Sequence, residues 1–172
     1  MSLHIYLSGT FILPILFFYI KSSMNHIVKK SINLAATPAE VWSALTDPQK
    51  TKEYFFNCEV HSDWKVGSDI TFKGKIFLIK SIEMHGKITK IIPEKLLQYI
   101  LENKSDDDKP ATTSTVTDEL VPENGGTKLM ITDDVGEGEG AEERYERSQK
   151  GWDKILEGLK EFLENEKEDK AS

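Results

Sequence analysis

Apolar side chains near the end of the chain recur at steps of three and four. They are Tyr145, Trp152, Ile155, Leu156, Leu159, Phe162 and Leu163, with Ser148 on the same face and Glu, Lys and Arg filling the other. That period marks one face of an α-helix, predicted over 140–166. Burying about six of these side chains contributes roughly 10–15 kcal/mol gross, comparable with the net stability of a whole domain, so the stripe must lie on another layer. Upstream the period shortens to two. In 69–75 the alternation is strict, with Ile70 and Phe72 on one face and charged residues on the other. The segments 27–34, 56–60, 86–92, 96–102, 112–121 and 127–135 read as further strands, while 76–82 is almost wholly apolar and fits a strand, a lid or a piece of core.

Punctuation between these segments sets their order. Thr37 is placed as an N-cap, Pro38 at the first helical position and Glu40 as the far half of a capping box, opening a helix that Asp47-Pro48 ends. A second short helical segment is expected over 49–55. Residues 64–68 and Pro93-Glu94-Lys95 read as turns and 103–110 as a solvated loop. Pro122-Glu123-Asn124-Gly125-Gly126 supplies the residues that tolerate the positive φ of a hairpin turn. The succession is one strand, one or two helices, about six strands in hairpin order, and the long helix. Short connections imply an antiparallel meander, and a twisted sheet of that kind wrapped around one long C-terminal helix is an α+β fold.

The N-terminal stretch departs from this pattern. Polar residues are few over 3–20, and 11–20 carries no charge. At about eighteen residues the run sits at the lower edge of a bilayer span, and Lys21, Lys29 and Lys30 behind it would keep the following domain on the cytoplasmic side. No Lys or Arg precedes the run and no small-x-small cleavage site follows it, which argues against a signal peptide. Two readings stay open, a membrane anchor or a misassigned start with translation from Met24. In both, 1–23 is set apart, the domain is expected over 24–168, and 169–172 is a polar tail.

Composition narrows the function mainly by exclusion. The chain of 172 residues, 38% hydrophobic and 30% charged, suits a single core. A formal net charge of −7 argues against a nucleic-acid partner, because phosphate affinity comes from basic surface and no Lys/Arg cluster here escapes neighbouring acids. The single cysteine, Cys58, excludes an intramolecular disulfide and a cysteine metal site, fits a cytoplasmic location, and reads as a small buried hydrophobe. Of the histidines, His4 and His26 lie in or beside the N-terminal stretch, and neither His61 nor His85 is expected to have a carboxylate or thiol at ligand or triad spacing. Asp106, Asp107 and Asp108 lack the alternating spacing of a calcium loop, so no metal and no cofactor is expected. Gly136-Glu137-Gly138-Glu139-Gly140 follows a strand and opens a helix, as phosphate-cradling loops do. Its acids would repel an anion, so the glycines are read as shaping the start of the helix.

The aromatic residues carry the remaining signal. Phe55, Phe72, Phe77, Tyr99, Tyr145 and Trp152, with Trp64 at a turn, each read singly as core, but together they are the candidate lining of a concave apolar site. Tyr145, Ser148 and Gln149, near the start of the long helix, are the candidate polar contacts.

The run Thr37-Pro38-Ala39-Glu40-Val41-Trp42-Ser43-Ala44-Leu45-Thr46-Asp47-Pro48, the residues from Gly67 through Phe72 to Gly74, and Gly86-Lys87-Ile88 through Pro93 to Leu97 and Tyr99 carry a resemblance, together with Gly125-Gly126-Thr127 and the Gly151-Trp152 helix. In this order and spacing the chain after Met24 resembles the activator-of-heat-shock-protein-90-ATPase homologue (AHSA) family of the START-like, or SRPBCC, superfamily. The resemblance implies a helix-grip fold with a cavity between sheet and C-terminal helix. It also implies a choice among lipid carriers, hormone receptors, aromatic cyclases and chaperone activators that a fold does not settle. Two features depart from the pattern. Residues 1–23 cannot be the separate N-terminal domain that makes much of the chaperone contact in eukaryotic activators. The tryptophan that the family tends to carry two residues after the tyrosine of its fifth strand is here Leu101. The first expectation is a non-catalytic START-like domain that binds a small apolar or amphipathic ligand. The alternative is a chaperone-interacting activator, and an aromatic cyclase or hydrolase-like enzyme stands third because no acid–base pair is visible.

Overall fold

The computed structural model describes residues 26–76, 80–103 and 112–171. The elements run β1 (Ile27–Leu34), α1 (Pro38–Thr46), α2 (Pro48–Tyr54), β2 (Cys58–Ser62), β3 (Asp69–Ile76), β4 (Lys80–Ile92), β5 (Leu96–Asn103), β6 (Thr112–Glu123), β7 (Gly126–Asp134) and α3 (Ala141–Ala171). The strands form one antiparallel sheet in the order β1-β7-β6-β5-β4-β3-β2. This is the expected α+β architecture. Hairpins link β2 through β7 in succession, and β1 and β2, neighbours in sequence, lie on opposite edges with α1 and α2 spanning the distance between them.

Local chemistry fixes the two short helices. Thr37 Oγ1 accepts from the Glu40 backbone N–H at 3.3 Å while Glu40 Oε2 accepts from the Thr37 N–H at 2.9 Å, the reciprocal capping box that the sequence predicts. Asp47 ends α1 and caps α2 by accepting from the Gln49 N–H at 2.8 Å. The Tyr54 hydroxyl donates to the Ala44 carbonyl at 2.9 Å, and Thr51 Oγ1 accepts from the Val60 N–H at 3.0 Å. These two bonds lock α2 to α1 on one side and to β2 on the other.

The concave face of the sheet takes α3. Trp152, Ile155, Leu156, Leu159 and Leu163 are buried against Val28, Ile70, Phe72, Leu97, Tyr99, Leu129 and Ile131. Gly158 allows α3 to approach α2, since a Cβ there would sit 3.2 Å from Tyr54 Cβ. Ion pairs at the rim hold the helix down from three sides: Lys30 to Asp153 at 2.6 Å, Lys50 to Glu166 at 3.0 Å and Lys170 to Glu40 at 3.5 Å. Being solvent-exposed to different degrees, each contributes at most about 1 kcal/mol, and the buried stripe carries the attachment.

Several boundaries differ from the sequence reading. The second strand begins at Cys58 rather than at 56, because Phe56 and Asn57 hold left-handed backbone, with φ of 50° and 57°, through which a strand does not continue. The apolar run 76–82 divides into the end of β3 and the start of β4, paired from Ile76↔Lys80 onward. Phe77 lies outside the described residues, as do residues 1–23 and the aspartates at 106–108. The long helix continues to Ala171 through most of the segment read as a polar tail. No helix among the described residues is long and apolar enough to cross a membrane.

Candidate functional site

Antiparallel register sets which side chains share the inner face of the sheet. Ile88 pairs with Tyr99, Tyr99 with Val116, Val116 with Asp133 and Asp133 with Val28, giving one row across five strands. The next row holds Leu97, Asp118 and Ile131. Asp118 and Asp133 are therefore diagonal neighbours on β6 and β7, both facing α3, with 3% and 6% of their surface exposed. Neither carboxyl is among the candidates that the sequence suggests. The signal is nonetheless there, since Asp118 has the parity of Val116 and Leu120, and Asp133 that of Leu129, Ile131 and Val135.

The helix supplies their partners unequally. Asp133 Oδ2 accepts from Trp152 Nε1 at 3.0 Å and from the Ser148 hydroxyl at 2.5 Å, while Asp133 Oδ1 and Asp118 Oδ1 are buried with no hydrogen-bond partner among the described residues. Burial pushes the Asp133 carboxyl above the usual range, against the opposing pull of those two donors. Asp118 has no such donors among the described residues, and burial, followed by the charge of Asp133, raises it to about 8. At neutral pH it carries its proton. The Tyr54 and Tyr99 phenols are raised as well, by burial first and then by Asp118.

Aromatic rings fill the space between these carboxyls and the left-handed turn after α2. Phe55 stacks on Phe72 at 5.0 Å between centroids, Phe72 meets Tyr99 at 5.8 Å, and Phe55 meets Trp152 edge-on at 6.3 Å. They separate two voids. The inner one, under the middle of α3 and against Asp118, holds about 20 Å³, room for about one water. The outer one is a groove of about 190 Å³ between the first half of α3 and strands β4 to β7. Its walls are Phe56, Met84, Leu101, Val116 and Val135, with Asp133, Arg144, Arg147, Ser148 and Gly151 along one side. Phe55, Tyr99, Trp152 and Ile155 line both voids and form the partition. The expected cavity between sheet and helix is thus nearly filled beneath the helix centre and opens toward the helix start.

The candidate residues distribute accordingly. Phe55, Tyr99 and Trp152 come together in the partition with Phe72 stacked against Phe55 on the inner side, and Ser148 lines the groove beside Asp133. Trp64, at φ 53°, borders a separate open depression beside His61 and Asp63. Tyr145 is half-buried with its ring edge-on to His26 at 6.2 Å, outside both voids. Leu101, standing where the family tends to place a tryptophan, is part of the groove wall. The glycine-rich loop directs its carbonyls onto a side chain of α3. Gly136, Gly138 and Gly140 take φ of 73°, 89° and 72°, turning the carbonyls of Val135, Glu137 and Glu139 onto the Arg144 guanidinium at 3.0, 3.0 and 2.8 Å. The histidines also need correcting: His61 lies 3.4 Å from Glu59 and His85 3.3 Å from Glu83, because residues two apart share a strand face. Among the described residues no three His, Cys, Asp or Glu side chains gather as a metal site.

Known proteins match over this same stretch. A family profile described as "Activator of Hsp90 ATPase homolog 1-like protein" matches residues 35–164. The solution structure of ChR145 from Cytophaga hutchinsonii is 35% identical, with a TM-score of 0.63, covering 81% of this chain and 94% of that one. MLL2253 from Mesorhizobium loti is 22% identical with a TM-score of 0.68, covering 81% of this chain and 97% of that one. CV1439 from Chromobacterium violaceum is also 22% identical, with a TM-score of 0.66 and coverages of 82% and 99%. No functionally curated protein matches the sequence. With the profile spanning most of the folded residues, and with the antiparallel sheet gripping one long C-terminal helix, the chain belongs to the Activator of Hsp90 ATPase homolog 1-like family and has its START-like helix-grip fold.

Proposed function

We propose that the domain is a non-catalytic binding module that holds a small apolar or amphipathic molecule in the groove between β4 to β7 and the first half of α3. The observation that carries this reading is the groove itself, an apolar concavity of about 190 Å³ with a few polar groups along one side. The volume lies below the roughly 300–1,000 Å³ of a drug-sized site, so the groove itself encloses a small body and a larger ligand projects from its open mouth. Binding rather than catalysis is favoured because Asp118, the carboxyl with the most displaced pKa, faces the water-sized inner void and not the groove.

Gly151 gives the test. It lines the groove, and a Cβ built there meets nothing within 4 Å, so Gly151→Leu puts a side chain into the groove without disturbing the packed face of α3. Titration with Nile red, an uncharged apolar fluorophore, is expected to saturate with the wild-type protein and to fail with a folded Gly151→Leu variant. Equal binding by the two would move the site elsewhere.

The family description favours a second reading, a protein that stimulates a chaperone ATPase. Chaperone turnover measured at saturating concentrations of the domain tests it, and an unchanged rate would remove it.

A further inference from the structure

The polar groups of the groove are not equally free to meet a ligand. Asp133 uses Oδ2 for Trp152 and Ser148, and its Oδ1 is sealed from solvent. The Ser148 proton is spent on Asp133. The Arg144 guanidinium gives its hydrogen bonds to backbone carbonyls in and beside the glycine-rich loop. Ser114 is buried, with 7% of its surface exposed. Arg147 remains. It is exposed, it lines the groove, and it has no hydrogen bond or ion pair among the described residues, not even with Glu143 four positions earlier on the same helix.

Charge complementarity follows from this inventory. In a chain of net charge −7, the groove's charged side chains apart from the buried Asp133 are both arginines. An arginine fork meets carboxylates and sulfonates through paired N–H donors, and an apolar wall beside it lowers the local dielectric and strengthens that contact. The remaining walls offer rings and aliphatic carbon. Resting on the binding reading above, we propose that the groove selects small organic anions, an aromatic or short aliphatic body carrying one carboxylate or sulfonate, with Arg147 as the residue that reads the charge.

The experiment compares two ligands that differ in charge. The wild-type protein with Nile red bound is titrated at pH 7 with 2-naphthoate and, separately, with its uncharged counterpart 2-naphthalenemethanol. The acid is expected to displace the dye at about tenfold lower concentration than the alcohol. That preference is expected to shrink on raising the salt concentration, as an exposed ion pair requires. Arg147→Gln is expected to erase the preference by weakening the acid about tenfold more than the alcohol, and Arg147→Lys to keep a part of it. Arg147 is exposed and unpaired, so the variants keep the fold. Equal displacement by acid and alcohol with the wild-type protein would overturn the inference, as would a preference that survives in Arg147→Gln. Failure of Nile red itself to bind would overturn the groove reading instead, so the two failures are told apart.

Discussion

Trp152, the largest side chain on the buried face of α3, donates its indole N–H to Oδ2 of Asp133 at 3.0 Å, and Ser148, one helical turn earlier, donates to the same oxygen. One carboxylate oxygen thereby joins β7 to α3 at the point where the filled core gives way to the groove. The helix position there is set by directional bonds as well as by packing.

Removing that acceptor strands two donors. Asp133→Ala leaves the Trp152 N–H and the Ser148 hydroxyl facing an apolar void, which costs about 1–3 kcal/mol. Asp133→Asn keeps an oxygen in place and is expected to cost less. Urea denaturation followed by tryptophan fluorescence reads both values, and an Asp133→Ala protein as stable as wild type would show that the bond contributes nothing net.

Asp118 makes stability depend on pH. Its folded pKa of about 8 lies above the ordinary 3.8, so between those values the folded chain keeps a proton that the unfolded chain has released. The stabilisation is fully present below pH 3.8, falls as pH rises with a limiting slope of about 1.4 kcal/mol per unit, and is gone above pH 8. Asp133, shifted in the same direction, adds to the fall. Urea midpoints from pH 5 to 9 are expected to decline for wild type and to decline less for Asp118→Asn, with the variant the more stable of the two at pH 8. Parallel curves for the two proteins would contradict this.

Two glycines are expected to respond to alanine with opposite signs. At Gly86, in β4, a Cβ would lie 2.2 Å from the Ile100 carbonyl oxygen of β5, so Gly86→Ala forces the strands apart and destabilises the sheet. At Gly151 there is open space, and alanine relieves the conformational entropy cost of a mid-helix glycine, gaining about 1 kcal/mol. Thermal melting of the two variants checks the pair, and a rise for Gly86→Ala or a fall for Gly151→Ala would contradict the close-approach and open-space geometry.

Much of this architecture is legible in the chain because local rules and the global fold agree. Thr37, Pro38 and Glu40 announce a helix start that the structure reproduces bond for bond, and the alternation around Ile70 and Phe72 gives the inward face of β3 directly. The start of β2 is hidden because Phe56 has no local feature that foretells a left-handed backbone. The division of 76–82 is hidden because an apolar run carries no period. Asp118 and Asp133 escape notice because an inward carboxyl breaks the pattern that identifies strands, and the donors for Asp133 come from a helix distant in sequence. Among the aromatic residues, type alone does not separate Phe55 and Tyr99 in the partition from Trp64 on its turn or Tyr145 beside His26. That difference is made by register and by where α3 crosses the sheet.

The placement of β1 and β2 on opposite edges has a consequence for how the molecule is made. β1 is synthesised first, yet its backbone partner is β7, paired as Ile27↔Asp134, roughly a hundred residues later. The hairpins from β2 to β7 can zip locally as the chain emerges, whereas the first strand must wait with Val28 and Leu34 unburied until the last is in place. The strand pair that closes the longest loop of the sheet is then the oldest strand with the youngest, and a chain interrupted before β7 keeps an open sheet edge that invites association with other chains.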